Sequence, residues 1–249
     1  MRSPRVGTLR PGLVRVLVAL VALLVLTGCQ VKVDVDATVN ADGSGTITVG
    51  LGLDDEALAK IGDLDSQLRV DDLRAAGWTI DGPTRHDDGF TWVTATKPFA
   101  DPASATGVMD EVNGSDGAFR EWTVGRSTSP VSTSYSVLGT IDLTKGVQTF
   151  GDAQLSQLFG GDPFAAGVKK LEQEQGRPVA EMVDVQVRVT TPGGSRTYTP
   201  SLADQQPTAV KVSSSTTNWL MVVAIVALLG VLAAVAVVVV LRRRAVRRR

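Results

Sequence analysis

The stretch Val31–Leu51, VKVDVDATVNADGSGTITVGL, decides the fold. Val31, Val33, Val35, Ala37 and Val39 alternate with Lys32, Asp34, Asp36, Thr38 and Asn40, so a strand here buries one face and wets the other. Ala41-Asp42-Gly43-Ser44-Gly45 supplies turn residues, and Ile47, Val49, Leu51 and Leu53 resume the same period. The two runs predict an antiparallel hairpin. The turn does not read as a calcium loop. Counted from Thr38, its first and twelfth positions hold Thr38 and Val49, where an EF-hand needs a carboxylate and a bidentate glutamate.

Upstream of the hairpin, Arg2, Arg5, Arg10 and Arg15 form a basic region, and Val16 to Leu26 is an apolar run too short to span a bilayer. Residues 1–28 therefore read as a secretory signal peptide. It closes on Leu26-Thr27-Gly28-Cys29, which resembles the lipobox of bacterial lipoproteins, where the cysteine is acylated and becomes the new N-terminus. A buried core cysteine fits poorly at the end of a signal, and Cys29, the chain's one cysteine, has no disulfide partner. Lipidation at Cys29 is the expectation, with two or more acyl chains giving stable anchorage.

Downstream, the pattern predicts an α+β domain over 29–200, built from hairpins with several short helices between them and an antiparallel sheet. Asp54 caps a helix with Ala57, Ile61, Leu64 and Leu68 as its stripe, and a shorter one runs from Asp71 to Ala76 before Gly77. Strands follow at Trp78–Ile80 and Phe90–Thr96. A helix opens at Asp101-Pro102 and ends at Asn113-Gly114. Further strands are expected at Phe119–Val124 and Thr133–Leu143, a helix from Asp162-Pro163 to Gly176, and a last hairpin pairing Val183–Val189 with Arg196–Thr199. Residues 201–218, rich in Ser, Thr, Gln and Pro, read as a flexible linker.

The chain closes on 23 uncharged residues, Trp219 to Leu241, a transmembrane helix by length and composition. Residues 242–249 carry six arginines, a cytoplasmic tail by the positive-inside rule. The cell membrane is thus the expected location, with the main domain on the extracytoplasmic side. Between the two ends, 15 basic residues face all 26 acidic ones, a formal charge of −11 hidden by the whole-chain value of −1. Such a surface excludes nucleic acid as a partner.

Catalytic patterns are missing. His86, the one histidine, sits in a turn beside Asp87 and Asp88, and a zinc site needs three or four convergent ligands. No serine has a G-x-S-x-G setting, and Gly43-Ser44-Gly45 and Gly193-Gly194 lie in hairpin turns rather than between strand and helix. The expectation is a protein without enzymatic activity, metal or cofactor. The aromatics Trp78, Phe90, Trp92, Phe119 and Trp122 fall in or beside the strands, where they either fill a core or line a ligand cavity.

With the lipobox running into VKVDVDATVNADGSGTITVGL, then DDLRAAGWTIDGP, KPFADP and VNGSDGAFREW, and a final helix with an arginine tail, the chain resembles the LppM-type lipoproteins of mycobacteria and related actinobacteria. The resemblance implies an envelope lipoprotein with a folded α+β domain that binds lipid, phosphatidylinositol mannosides in particular. In pathogenic relatives it implies interference with phagosome maturation. Only Cys29 transfers residue by residue. The alternative is a protein-interaction or assembly factor of the cell envelope, with envelope proteins as partners and no small-molecule ligand.

Overall fold

The computed structural model describes residues 29–61, 70–113, 117–146, 169, 172–204 and 206–246. The expected signal peptide, Leu64 and Leu68 of the first helix, Gly114, residues 162–168, 170 and 171 of the helix expected from Asp162 to Gly176, and the last three arginines lie outside the described residues, whereas Lys169 and residues 172–175 are helical.

The predicted hairpin is present as β1 (Val31–Val39) and β2 (Gly45–Leu53), paired without a register break from Val31↔Leu53 to Val39↔Gly45. Its turn is closed by the Asp42 carboxylate, which accepts hydrogen bonds from the Ser44 N–H and hydroxyl at 3.0 and 2.7 Å, and these hold that carboxyl below its ordinary pKa. Gly43 takes φ +94°, a conformation costly for any residue with a Cβ.

Helices α1 (Asp55–Ile61) and α2 (Val70–Ala75) follow, then β3 (Thr79–Arg85), β4 (Thr91–Phe99) and α3 (Pro102–Asn113). The caps are those the sequence predicts. Asp54 Oδ1 accepts the Ala57 N–H at 2.7 Å, and Asp101 Oδ1 accepts the N–H groups of Ala103 and Ser104, both at 2.9 Å. Asp101→Ala is expected to lower stability by about 1 kcal/mol. It should be seen as a lower urea midpoint with an unchanged slope.

The remaining strands are β5 (Phe119–Thr128), β6 (Ser132–Ile141), β7 (Val183–Thr191), β8 (Gly194–Tyr198) and β9 (Thr208–Thr217). They form a six-stranded sheet, β3-β4-β2-β1-β7-β8, and a three-stranded sheet, β5-β6-β9. Pairing is antiparallel except between β1 and β7, which run parallel from Val31↔Val183 to Thr38↔Thr190. The α+β class is therefore as expected, with two sheets in place of one.

The inward residues of β1 and β7, Val35, Ala37, Val39, Val185, Val187 and Val189, pack against Tyr135, Val137, Val210 and Val212 of the smaller sheet. Ala105, Val108 and Met109 of α3 complete the same core. A bulge between Arg120 and Thr123, with Glu121 at φ +53°, turns Trp122 into this core, where its ring lies over Gly139.

The linker expected over 201–218 is overturned. Thr208–Thr217 is β9, paired with β6 at ten positions from Ile141↔Thr208 to Ser132↔Thr217, and Leu202 is buried in the core. Threonine and valine suit a pleated, half-buried surface, and Val210 and Val212 supply the apolar face, although the serine content imitates a linker. The outer edge of β9 is covered as well. Tyr198 Oη accepts the Lys211 N–H and donates to the Lys211 carbonyl, at 2.9 and 3.0 Å, and the Thr191 and Ser214 hydroxyls meet at 2.7 Å. The folded unit thus runs to Thr217. Asn218 alone separates it from α4 (Trp219–Val246), caps that helix by accepting the Met221 N–H, and donates its own N–H to the Val131 carbonyl at 2.8 Å. Within α4, Trp219–Leu241 is exposed and long and apolar enough to cross a membrane.

Candidate functional site

Strand alternation on β1 and β7 places Lys32, Asp34, Asp36, Asp184, Gln186 and Arg188 on the outer face of the six-stranded sheet, in register as Lys32↔Asp184, Asp34↔Gln186 and Asp36↔Arg188. On the other flank of β1, the outer face of β2 is Thr48, Gly50 and Gly52. The indole of Trp92 on β4 occupies the space these glycines leave. A Cβ at Gly52 would lie 2.8 Å from the ring, and one at Gly50 would lie 3.1 Å away.

Asp88, in the turn between β3 and β4, fixes that indole from the side. Its carboxylate accepts the Trp92 Nε1–H at 3.2 Å and the Phe90 N–H at 3.0 Å, and pairs with Lys32 Nζ at 3.5 Å. The Phe90 backbone N–H foremost, then the Trp92 N–H and the Lys32 charge, hold Asp88 below the usual carboxylate range. Lys32 Nζ in turn lies 3.8 Å over the Phe90 ring, a cation–π contact. Asp34 behaves oppositely. Burial raises its pKa first, the neighbouring Asp36 adds to the rise, and Arg188 and Lys32 only partly offset it.

These side chains border a cleft of about 640 Å³, walled on one side by Asp88 and Trp92 and on the other by Thr199 to Ala203. A smaller recess of about 240 Å³, which shares Asp34, Asp88 and Trp92, continues it toward His86 and Asp36. The larger cleft carries Asp34, Asp88, Glu181 and Asp184 against one base, Lys32. Carboxylates accept hydrogen bonds from hydroxyls, Gln186 both donates and accepts, and such an acidic lining repels phosphate. The arrangement suits a polyhydroxylated ligand. Among the described residues, no group of three or more His, Cys, Asp and Glu is placed to hold a metal ion.

The five aromatics of the sequence reading do not line one cavity. Trp78, Phe119 and Trp122 are buried in the core between the sheets, with Phe119 and Trp122 edge to face at 6.3 Å. Trp78 Nε1 donates to Glu111 at 3.0 Å, beside the Lys97–Glu111 ion pair. Phe90 and Trp92 lie on the outer face, and of the five only Trp92 borders the cleft. They belong to different layers: Phe119 and Trp122 of β5 face the core between the sheets, whereas Trp92 of β4 lies on the outer face of the six-stranded sheet over Gly50 and Gly52. Lys32, Asp34, Asp88, Asp184 and Gln186 were not singled out by sequence. The small residues at Gly50 and Gly52 on the wet face of β2 were the available signal that something large lies over them.

Cys29, whose burial the sequence reading set aside, is buried at 4% exposure with Leu53, Ala57, Val93, Val179 and Met182. Its carbonyl accepts a hydrogen bond from Arg177 at 3.0 Å.

The molecule is an α+β domain with an acidic outer cleft, followed among the described residues by one membrane-length apolar helix. It is similar to the folded domain of the Mycobacterium tuberculosis protein LppM, solved by NMR. The two are 10% identical, with 76% of this chain and 91% of that domain covered, at a TM-score of 0.38. No protein-family model matches the chain, and no curated protein matches its sequence.

Proposed function

We propose that the chain is a membrane-anchored envelope lipoprotein that binds the carbohydrate headgroup of a glycolipid in the outer cleft, without enzymatic activity. The observation that carries this reading is the cleft itself, with Asp34, Asp88, Asp184 and Gln186 converging beside Trp92 in a domain joined to a membrane-length helix. Aromatic side chains flanked by hydroxyl-binding carboxylates and amides suit sugar rings. The core between the sheets is packed with side chains, so the acyl chains of the ligand stay outside the domain. The sequence resemblance makes phosphatidylinositol mannosides the first ligands to try, bound through mannose rather than phosphate. In this reading the helix spans the cell membrane with its arginines in the cytoplasm, and Cys29 is acylated before β1 closes over it.

Titration of the protein with phosphatidylinositol mannosides, followed by native mass spectrometry, should give a retained complex. A mass that no mannosylated lipid changes would overturn the reading. Because burial, and then the neighbouring Asp36, raise the Asp34 pKa, its charged acceptor form is lost at a higher pH than that of an ordinary aspartate. Binding should therefore weaken as pH falls, beginning above the ordinary aspartate range, and Asp34→Asn should weaken it severalfold at pH 7 while reducing that pH dependence. Stability moves the other way. A raised folded pKa makes the charged form costly above that pKa, so protonation or Asn substitution relieves a penalty.

A further inference from the structure

The acidic residues avoid one side of the molecule. Trp122–Ile141 and Pro207–Asn218, which supply most of β5 and all of β6 and β9, contain no Asp or Glu, and their charged residues are Arg126 and Lys211. Glu121 at the bulge of β5 and Asp142 just after β6, the latter paired with Arg120, stand at one edge of this sheet, and the other carboxylates lie elsewhere in the chain. The outer face of the three-stranded sheet is correspondingly made of hydroxyls. Ser127, Ser134, Ser136, Ser213 and Ser215 border a shallow trough of about 570 Å³, and Leu138, 44% exposed, pairs across with Lys211 on the same face. Gly125 keeps the trough open, since a Cβ there would lie 2.5 Å from the Ser136 hydroxyl.

We infer that this carboxylate-poor face lies against the headgroups of the bilayer that helix α4 enters. Three observations lead there. The strand β9 continues into α4 through Asn218 alone, and the β5–β6 turn is hydrogen-bonded to that junction through Val131, so the smaller sheet is the layer nearest the membrane. Anionic headgroups repel a carboxylate surface and attract a basic or neutral one, so a domain of charge −11 has this one face to offer. Serine hydroxyls and Lys211 donate hydrogen bonds to phosphodiester oxygens, and Leu138 adds a small apolar contact at the interface.

A fourth argument rests on the acylation proposed above. Ser214 meets Thr191, level with the far end of β1, and β9 then runs on toward Asn218. Cys29 precedes the opposite end of β1, so the two attachments lie about 40 Å apart along the strands, at roughly 3.3 Å per residue. Both reach one membrane only when the strands lie along its surface. The acidic cleft, on the outer face of the other sheet, then opens away from the supporting bilayer.

The test uses the full chain in phosphatidylcholine–phosphatidylglycerol vesicles, in a Cys29→Ala background. Single substitutions Ser134→Cys and Ser213→Cys on the smaller sheet, and Thr46→Cys and Asp184→Cys on the larger one, carry bimane. Quenching by a headgroup-attached nitroxide lipid should be at least threefold stronger at positions 134 and 213. Equal quenching on both faces, stronger quenching at 46 and 184, or none at any position would each overturn the inference. Unchanged far-ultraviolet circular dichroism qualifies each variant. Lys211→Glu should lower the quenching at 134 in phosphatidylglycerol vesicles, and unchanged quenching would remove the electrostatic argument. Because no glycolipid is present, failure here leaves the cleft reading standing, and failure of glycolipid binding leaves this one standing.

Discussion

Trp122→Ala should destabilise residues 29–218, produced without the helix, by about 3–5 kcal/mol, the range for emptying a large aromatic from a packed core. Trp122 is 2% exposed, meets Phe119 edge to face, and fills the space over Gly139, where an added Cβ would lie 2.5 Å from the indole. One partner of this packing is polar and unmet. Among the described residues, Trp122 Nε1 is the buried side-chain nitrogen or oxygen without a hydrogen bond. An unsatisfied buried donor costs about 1–3 kcal/mol. Trp122→Phe therefore trades lost volume against removal of that cost, and is expected to be much milder than alanine. Urea denaturation of both variants decides the matter. Two equally large losses would mean that the indole N–H meets a partner, such as an ordered water.

The second large effect concerns where the domain stops. A chain ended at residue 200 should not fold, whereas one ended at residue 218 should. Removing β9 strips Val210 and Val212 from the core and exposes the hydrogen-bonding edge of β6 along ten residue pairs. It also leaves the side chains of Tyr198 and Thr191 without Lys211 and Ser214. Exposed apolar sheet edges pair with other chains, so the shorter product is expected to aggregate. Dispersed amide resonances from a soluble chain ended at residue 200 would contradict this and restore the linker reading.

The first hairpin was legible because its period is strict and its turn residues are unambiguous from Val31 to Leu53. The caps at Asp54 and Asp101 were legible for the same local reason. The pairing of β1 with β7 was not, since it joins residues about 150 positions apart and no local pattern encodes which valine strand lies beside which. β9 was hidden by composition. SSSTT is as common in flexible segments as in a strand whose outer face is wet, and only Val210 and Val212 hint at the buried side. The aromatics were found as residues but not sorted, because a bulge at Glu121 and the glycine gap opposite Trp92 set their directions. The cleft follows from the same missing information. Asp34 was visible as a wet-face residue, yet its neighbours Gln186 and Asp184 arrive through the parallel pairing.

The direct passage from β9 into the helix has a mechanical meaning. A pull on the helix along the strand direction reaches the domain through the β6–β9 ladder, whose hydrogen bonds lie across the strands. Such a load shears the ladder, so the bonds must give way together rather than unzip one after another from an end. A load applied at the start of β1 is shared in the same manner, because β1 is flanked on both sides by β2 and β7. A load along the strands from either end of the domain therefore meets its stiffest direction.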